Sequence, residues 1–153
     1  MAYNPQPALG QTSMSGSLPV AIANNQTAVP VTIQAGATGG DSVSAVSSQA
    51  IVSAATTNPI SIKASAGKVT GWYIYNSNAS ARKVAFHNTA GTPTAGSAVY
   101  LSIVIPGLAA ANVSFPDGID FSTGIAITTV TGLTNADNTA VALNDLIINI
   151  FYK

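Results

Sequence analysis

From about residue 59 onward the sequence is a series of short apolar stretches separated by turn-forming residues. In the clearest stretch, Leu101, Ile103 and Ile105 occupy every second position, which is typical of a strand with one buried face. Clusters such as Pro106-Gly107 separate the stretches, and no window keeps the 3.6-residue apolar period of a helix. The pattern predicts seven strands, at residues 60–64, 69–76, 82–88, 99–105, 111–115, 121–130 and 146–152.

Seven short strands at this spacing predict an all-β fold, a jelly-roll-like β-sandwich. The composition agrees with this prediction. Only 10 of the 153 residues are charged, 5 basic and 5 acidic, and glutamate is absent. Helix surfaces are usually rich in Glu, Lys and Arg, whereas the Ser, Thr, Asn, Ala and Gly of this chain suit turns and sheets better.

The charge content also bears on the partners that the chain can have. The net charge is zero, and five cations cannot form the broad basic stripe that nucleic-acid or membrane-surface binding needs. We therefore expect neither partner. The chain has no cysteine, which excludes disulfides and thiolate chemistry. Its first residues lack the basic and apolar regions of a secretory signal.

Several predicted strands are apolar on both sides. In 69–76, Trp72 and Ile74 alternate with Tyr73 and Tyr75, and the last strand, 146–152, behaves likewise. A small sandwich buries one face of each sheet, so a second apolar face predicts further cover. Oligomerisation would supply it, and we expect Tyr73 and Tyr75 to contact a partner.

Residues 1–58 differ from the rest of the chain and predict an extended N-terminal arm and linker before a sandwich domain at 59–153. Residues 34–50 are small and polar, and they predict a flexible linker. Residues 17–33 form two short apolar stretches, each with an internal proline, which suits contact with another chain better than a central strand. The alternative is a disordered tail. The predicted partner-contact residues of the arm are Leu18, Pro19, Val20, Ile22, Val29, Pro30, Val31 and Ile33.

Candidates for catalysis are weak. His87 could join a serine and either Asp117 or Asp120 in a triad, but a hydrogen-bonded histidine at a strand end is the more ordinary interpretation. Two Ser-x-x-Lys matches, Ser65 to Lys68 and Ser80 to Lys83, lie between predicted strands rather than at a helix start. We therefore predict a non-enzymatic protein with no catalytic residues and no cofactor.

The longest late loop offers a possible weak calcium site. Asp137 and Asp145 lie in it with several asparagines, but no calcium-loop template matches the spacing. The prediction is that the chain holds no metal, with a weak site in 137–145 as the open alternative.

Five segments of the chain form a recognisable set. They are SLPVAIANNQTAVPV at 17–31 in the arm, and GWYIYN at 71–76, FPDG at 115–118, FSTGIA at 121–126 and NIFYK at 149–153 in the domain. Together they resemble segments of small virion proteins of tailed bacteriophages. The resemblance implies a virion component made in the cytoplasm of the bacterial host, most like a capsid decoration (cement) protein that trimerises on the capsid exterior and contacts the major capsid protein. A tail, baseplate or fibre-adaptor protein is the alternative, and a carbohydrate-binding module built on Trp72, Tyr73 and Tyr75 is a third.

Overall fold

The computed structural model describes residues 45–153, which fold into eight strands with no helix among them. The strands are β1 (Ser47–Val52), β2 (Ile60–Lys63), β3 (Gly67–Asn76), β4 (Arg82–Asn88), β5 (Leu101–Ile105), β6 (Ala110–Phe121), β7 (Ile125–Val130) and β8 (Leu146–Tyr152). They form two four-stranded sheets. Sheet A has the order β1-β8-β3-β6, and sheet B has the order β2-β7-β4-β5.

This strand order is that of a jelly roll, which confirms the predicted fold class. The antiparallel pairs β1–β8, β2–β7, β3–β6 and β4–β5 are those of one long hairpin folded at the β4–β5 turn. Rolling that hairpin brings β8 beside β3 and β7 beside β4, and both new pairs are antiparallel. Each of the two sheets therefore contains strands from both halves of the domain.

The core lies between the sheets and is built from the alternate residues that the sequence pattern indicates. Trp72 and Ile74 of sheet A face Val84 and Phe86 of sheet B, and all four are buried. The ring centroids of Trp72 and Phe86 are 5.8 Å apart, and those of Phe86 and Phe121 are 6.0 Å apart, within the range of favourable aromatic pairs. The predicted alternation on β5 is confirmed, since Ile105 is fully buried while Val104 is exposed.

Polar networks close the end of the sandwich where β1, β3 and β5 finish. Asn76 is fully buried, and its amide donates to the carbonyls of Ser80, Ile105 and Pro106. Asn58 has a φ of +45° and is the donor to Thr129 Oγ1 at 2.7 Å. Every buried side-chain polar atom in the part of the chain described here has a partner, so these networks hold the loops without leaving a buried polar group unpaired.

Three strand predictions need correction. Residues 47–52, predicted as arm and linker, form β1. All six residues of β1 pair with β8, and the local composition does not reveal this distant pairing. The predicted strand 111–115 continues to Phe121, passing through Pro116, because β6 is an edge strand where a missing N–H is tolerated. The predicted strand 121–130 is two strands, separated by a turn at 122–124.

Candidate interaction surface

The outward side chains of sheet A form a surface that we call the uncharged face. Strand registers arrange it in three rows across β1, β8, β3 and β6. The rows are Val52–Ile147–Tyr75–Ala110, Ala50–Asn149–Tyr73–Asn112 and Ser48–Phe151–Gly71–Ser114. None of these residues is charged, and the ion pair of this sheet, Lys68 Nζ to Asp120 Oδ1 at 3.2 Å, lies beyond the rows at the far end of β3 and β6.

Large apolar side chains are exposed on this face. The exposed fractions are 58% for Val52, 42% for Ile147, 43% for Tyr73 and 37% for Phe151, while Tyr75 is half-buried. Near Phe151 the face ends in a depression of about 240 Å³ that Val46, Ser114 and Pro116 help to line. An apolar, uncharged sheet face of this kind is a surface that another protein can bury.

Loops of the same domain cover the outward face of the two central strands of sheet B, β7 and β4. Val130, Ala85, Thr128 and His87 all point away from the core, yet each is at most 2% exposed. The loop of residues 89–100 lies over His87, and together they line a pocket of about 180 Å³. The loop of residues 131–145 reaches β4 through a hydrogen bond from Lys83 Nζ to the carbonyl of Thr134.

Burial changes the ionisation of the two basic groups beneath these loops. Burial lowers the pKa of Lys83, with the Asp137 carboxylate partly opposing the change. Burial also lowers the pKa of His87, against the raising effect of the backbone carbonyls of Ala98 and Ser97, and the Lys83 charge lowers it further. His87 is therefore held in its neutral form.

His87 does not form a triad with a serine and Asp117 or Asp120. Its Nε2 lies 2.9 Å from Thr128 Oγ1, and no hydrogen bond joins its ring to a carboxylate in residues 45–153. The lysines of the two Ser-x-x-Lys matches have other partners, Asp120 for Lys68 and the Thr134 carbonyl for Lys83. Neither match therefore pairs its serine with its lysine, and the hydroxyl beside His87 belongs to the fully buried Thr128.

The two aspartates of the candidate calcium loop belong to different networks. Asp137 accepts hydrogen bonds from the Gly132 N–H at 2.9 Å and from the Thr139 side chain. Burial alone would raise the pKa of Asp137, but these hydrogen bonds outweigh it and the pKa is lowered. No group of three or more His, Cys, Asp or Glu side chains that could hold a metal ion occurs within residues 45–153.

Asp145 makes a buried ion pair instead. Its Oδ2 accepts a 2.7 Å hydrogen bond from Arg82 Nε, and its Oδ1 accepts one from Asn78. Burial raises its pKa, but the hydrogen bonds from Arg82, the Ala142 N–H and Asn78 lower it more, so the carboxylate stays ionised. This pair anchors the loop before β8 to the start of β4.

Of the residues predicted to contact a partner, the structure places Tyr73 and Tyr75 together on the uncharged face. The predicted arm contacts, from Leu18 to Ile33, lie outside the residues described. Sequence reasoning missed Val52, because β1 was assigned to the linker. The only signal for it is the apolar run Ala50-Ile51-Val52, which is short and follows a serine-rich stretch.

No family model, curated protein or solved structure matches the chain. In the part of the chain described, there is no helix long and apolar enough to cross a membrane.

Proposed function

We propose that this chain is a non-enzymatic structural protein of a bacteriophage particle that binds a neighbouring virion protein through the uncharged face. The observation that carries the contact role is the exposure of Val52, Ile147, Tyr73 and Phe151 on one face without a single charge. The sequence resemblance supports the phage origin and the more specific proposal, a capsid decoration protein on the exterior of the major capsid shell.

The size of the face sets how strongly one copy can bind. Fully burying an exposed Val, Ile or Phe side chain contributes about 1.5–3 kcal/mol, and those of the uncharged face are already about half-buried. Association itself costs about 4–15 kcal/mol. One uncharged face is therefore a modest binding site, and we propose that the arm residues Leu18 to Ile33 provide additional contacts.

A binding assay with capsid shells that lack this chain tests the proposal. The double variant Tyr73→Asp/Ile147→Asp should lose shell binding, because it buries two charges at the contact. The matched control is Leu133→Asp, a similarly exposed apolar residue in the 131–145 loop, which should bind like the wild type. Full binding by a folded double variant would remove the uncharged face as the contact.

The number of copies of this chain in each particle distinguishes a capsid protein from a tail protein. A decoration protein should be present in hundreds of copies in purified particles, whereas a tail, baseplate or fibre-adaptor protein should be present in a few to dozens.

Deleting residues 1–33 tests the contribution of the arm. The deletion should leave the sandwich folded and weaken shell binding, and unchanged binding would restrict the contact to the sandwich.

The carbohydrate-binding alternative is weaker because of where Trp72 lies. The Trp72 side chain is 9% exposed, and its ring packs against Phe86 and Phe115, the latter at 5.4 Å. Of the three aromatic residues of this alternative, Tyr73 and Tyr75 are left to stack on a sugar. Glycan binding that Tyr73→Ala and Tyr75→Ala abolish would favour this alternative over the virion role.

A further inference from the structure

The outer edge of β1 has backbone groups with no partner among residues 45–153. The Ser53 N–H donates to the Leu146 carbonyl at 2.9 Å, which sets the phase of the β1–β8 ladder. In an antiparallel ladder the residues alternate between bonding to the neighbour and pointing away from it. Ile51 and Gln49 therefore bond to β8, and the N–H and C=O groups of Ser48, Ala50 and Val52 point outward.

Two of the other edge strands, β6 and β2, carry features that oppose pairing with another chain. β6 contains Pro116, Asp117 and Asp120, and Gly118 in its middle has a φ of +72°. β2 has four residues, follows Pro59 and shifts register between Ser61 and Lys63. Prolines, charges and irregularities are the devices by which natural sheets keep their edges from pairing.

The third edge, β5, is shorter than β1 and is bounded by a proline. It has five residues and ends at Pro106, and its Ser102 hydroxyl donates to Asn135 of the 131–145 loop at 2.7 Å. β1 has six residues, Ser-Ser-Gln-Ala-Ile-Val, with no charge, no proline and no register shift. Of the four sheet edges in the described domain, β1 is the one best suited to accept a strand.

We propose that β1 pairs antiparallel with β1 of a second copy of this chain. The outward groups of Ser48, Ala50 and Val52 are evenly spaced about Ala50, so a twofold axis at Ala50 places each Ser48 opposite Val52 of the other copy. Three hydrogen-bonded residue pairs then form, and all six outward groups of each β1 are used. Because β1 carries no charge, the two copies meet without like-charge repulsion.

The pairing has a structural consequence that links it to particle binding. A twofold axis perpendicular to the sheet joins two copies of sheet A into one eight-stranded sheet, with both uncharged faces on the same side. Two modest binding sites on one rigid body then bind a surface with repeated sites more strongly than either does alone. This consequence rests on the proposed function, whereas the pairing itself does not.

Sedimentation equilibrium of the full-length chain tests the pairing. We expect a dimer whose dissociation constant rises about tenfold or more in Ala50→Pro, which removes an outward N–H and leaves the β8 ladder intact. Ala50→Lys should weaken the dimer in a salt-dependent way, since the two lysines face each other across the axis. Asn112→Lys is the matched control, because it adds the same charge to the same face at β6, the far edge of sheet A.

Unfolding midpoints close to that of the wild type will show that Ala50→Lys and Asn112→Lys still fold. A monomeric wild-type chain, or a dimer that is insensitive to both Ala50 variants, would overturn the pairing. The trimer that the sequence resemblance implies would overturn it as well, because a twofold axis at Ala50 joins two copies only. A monomer that still binds shells through Tyr73 and Ile147 would overturn the pairing and leave the proposed function standing. A dimer that fails to bind shells would support the pairing and overturn the proposed function.

Discussion

The outer faces of sheets A and B have strands of similar apolar content but are covered differently. On sheet B, loops 89–100 and 131–145 cover β4 and β7, so that even Lys83 is fully buried. On sheet A, Val52, Ile147 and Tyr73 stay exposed in the structure of residues 45–153. A strand that is apolar on both sides therefore does not by itself indicate a partner, because a loop of the same domain can supply the cover.

The difference in cover explains how charge is distributed. Where loops exclude water, the few charged groups that remain need partners, and Asp145 has Arg82 while Lys83 has the Thr134 carbonyl. Where the face is open, charges would be tolerated in water, yet the three rows of the uncharged face contain none, and the exposed Lys68–Asp120 pair lies beyond them. The absence of charge on the open face, rather than its apolar content, is the feature that favours contact with another protein.

The largest expected effect comes from placing the same new charge on each face. Val130→Asp puts a carboxylate at a position that is 1% exposed, beneath the loops of sheet B. It should destabilise the domain by about 2 kcal/mol or more, although Lys83, directly opposite on β4, partly compensates the new charge. Ile147→Asp, on the open face, should change the free energy of unfolding by about 1 kcal/mol or less. Urea unfolding of both variants measures the contrast.

Val130→Thr is the control for shape in this comparison, since it keeps the branched side chain without a charge. Equal destabilisation by Val130→Asp and Ile147→Asp would mean that the two faces are equally covered. That result would remove the distinction on which the uncharged face is defined.

The second-largest expected effect is a dependence of stability on pH that arises from His87, on the covered face of sheet B. The pKa of His87 is lowered in the folded protein, so the unfolded chain binds a proton more readily near its ordinary value of 6.5. Stability should be at its full value above pH 6.5 and should fall as the pH drops below it, by up to about 1.4 kcal/mol per pH unit.

Thermal unfolding of the wild type and His87→Gln between pH 8 and pH 5 measures this dependence. The variant should lose the slope, because glutamine does not ionise in this range. Asp137 and Asp145 do not contribute there, since their lowered pKa values place their loss of stability below about pH 4. An unchanged slope in His87→Gln would show that another group titrates.

Strands with a strong apolar alternation could be predicted from the sequence. A strand whose pairing partner lies far away along the chain could not. The alternation of Trp72 with Tyr73 predicted both the core and the exposed side of β3, and the strand at 82–88 has the observed bounds. β1 was missed because its serine- and alanine-rich sequence has little strand preference, and its pairing partner lies about a hundred residues away. The burial of Lys83 could not be predicted either, because it depends on a loop that folds back over β4.

The smallest expected effect concerns Lys83 itself. Its pKa is lowered chiefly by burial, which means that the charged form is less favourable in the folded protein than in water. Lys83→Met keeps an unbranched side chain, one atom shorter, and removes the charge, so it should leave stability unchanged or raise it by about 1 kcal/mol at pH 7. Urea unfolding measures this difference.

The pH dependence of the same variant tests the explanation. In the wild type the unfolded chain holds the Lys83 proton up to a pKa near 10.5, whereas the folded chain releases it at lower pH, so stability should rise with pH through that window. Lys83→Met should lack this rise, while Lys63→Met, a control on the edge strand β2, should keep it. A Lys83→Met variant that is strongly destabilised at pH 7 would show instead that the bond to Thr134, and not burial, dominates the covered face.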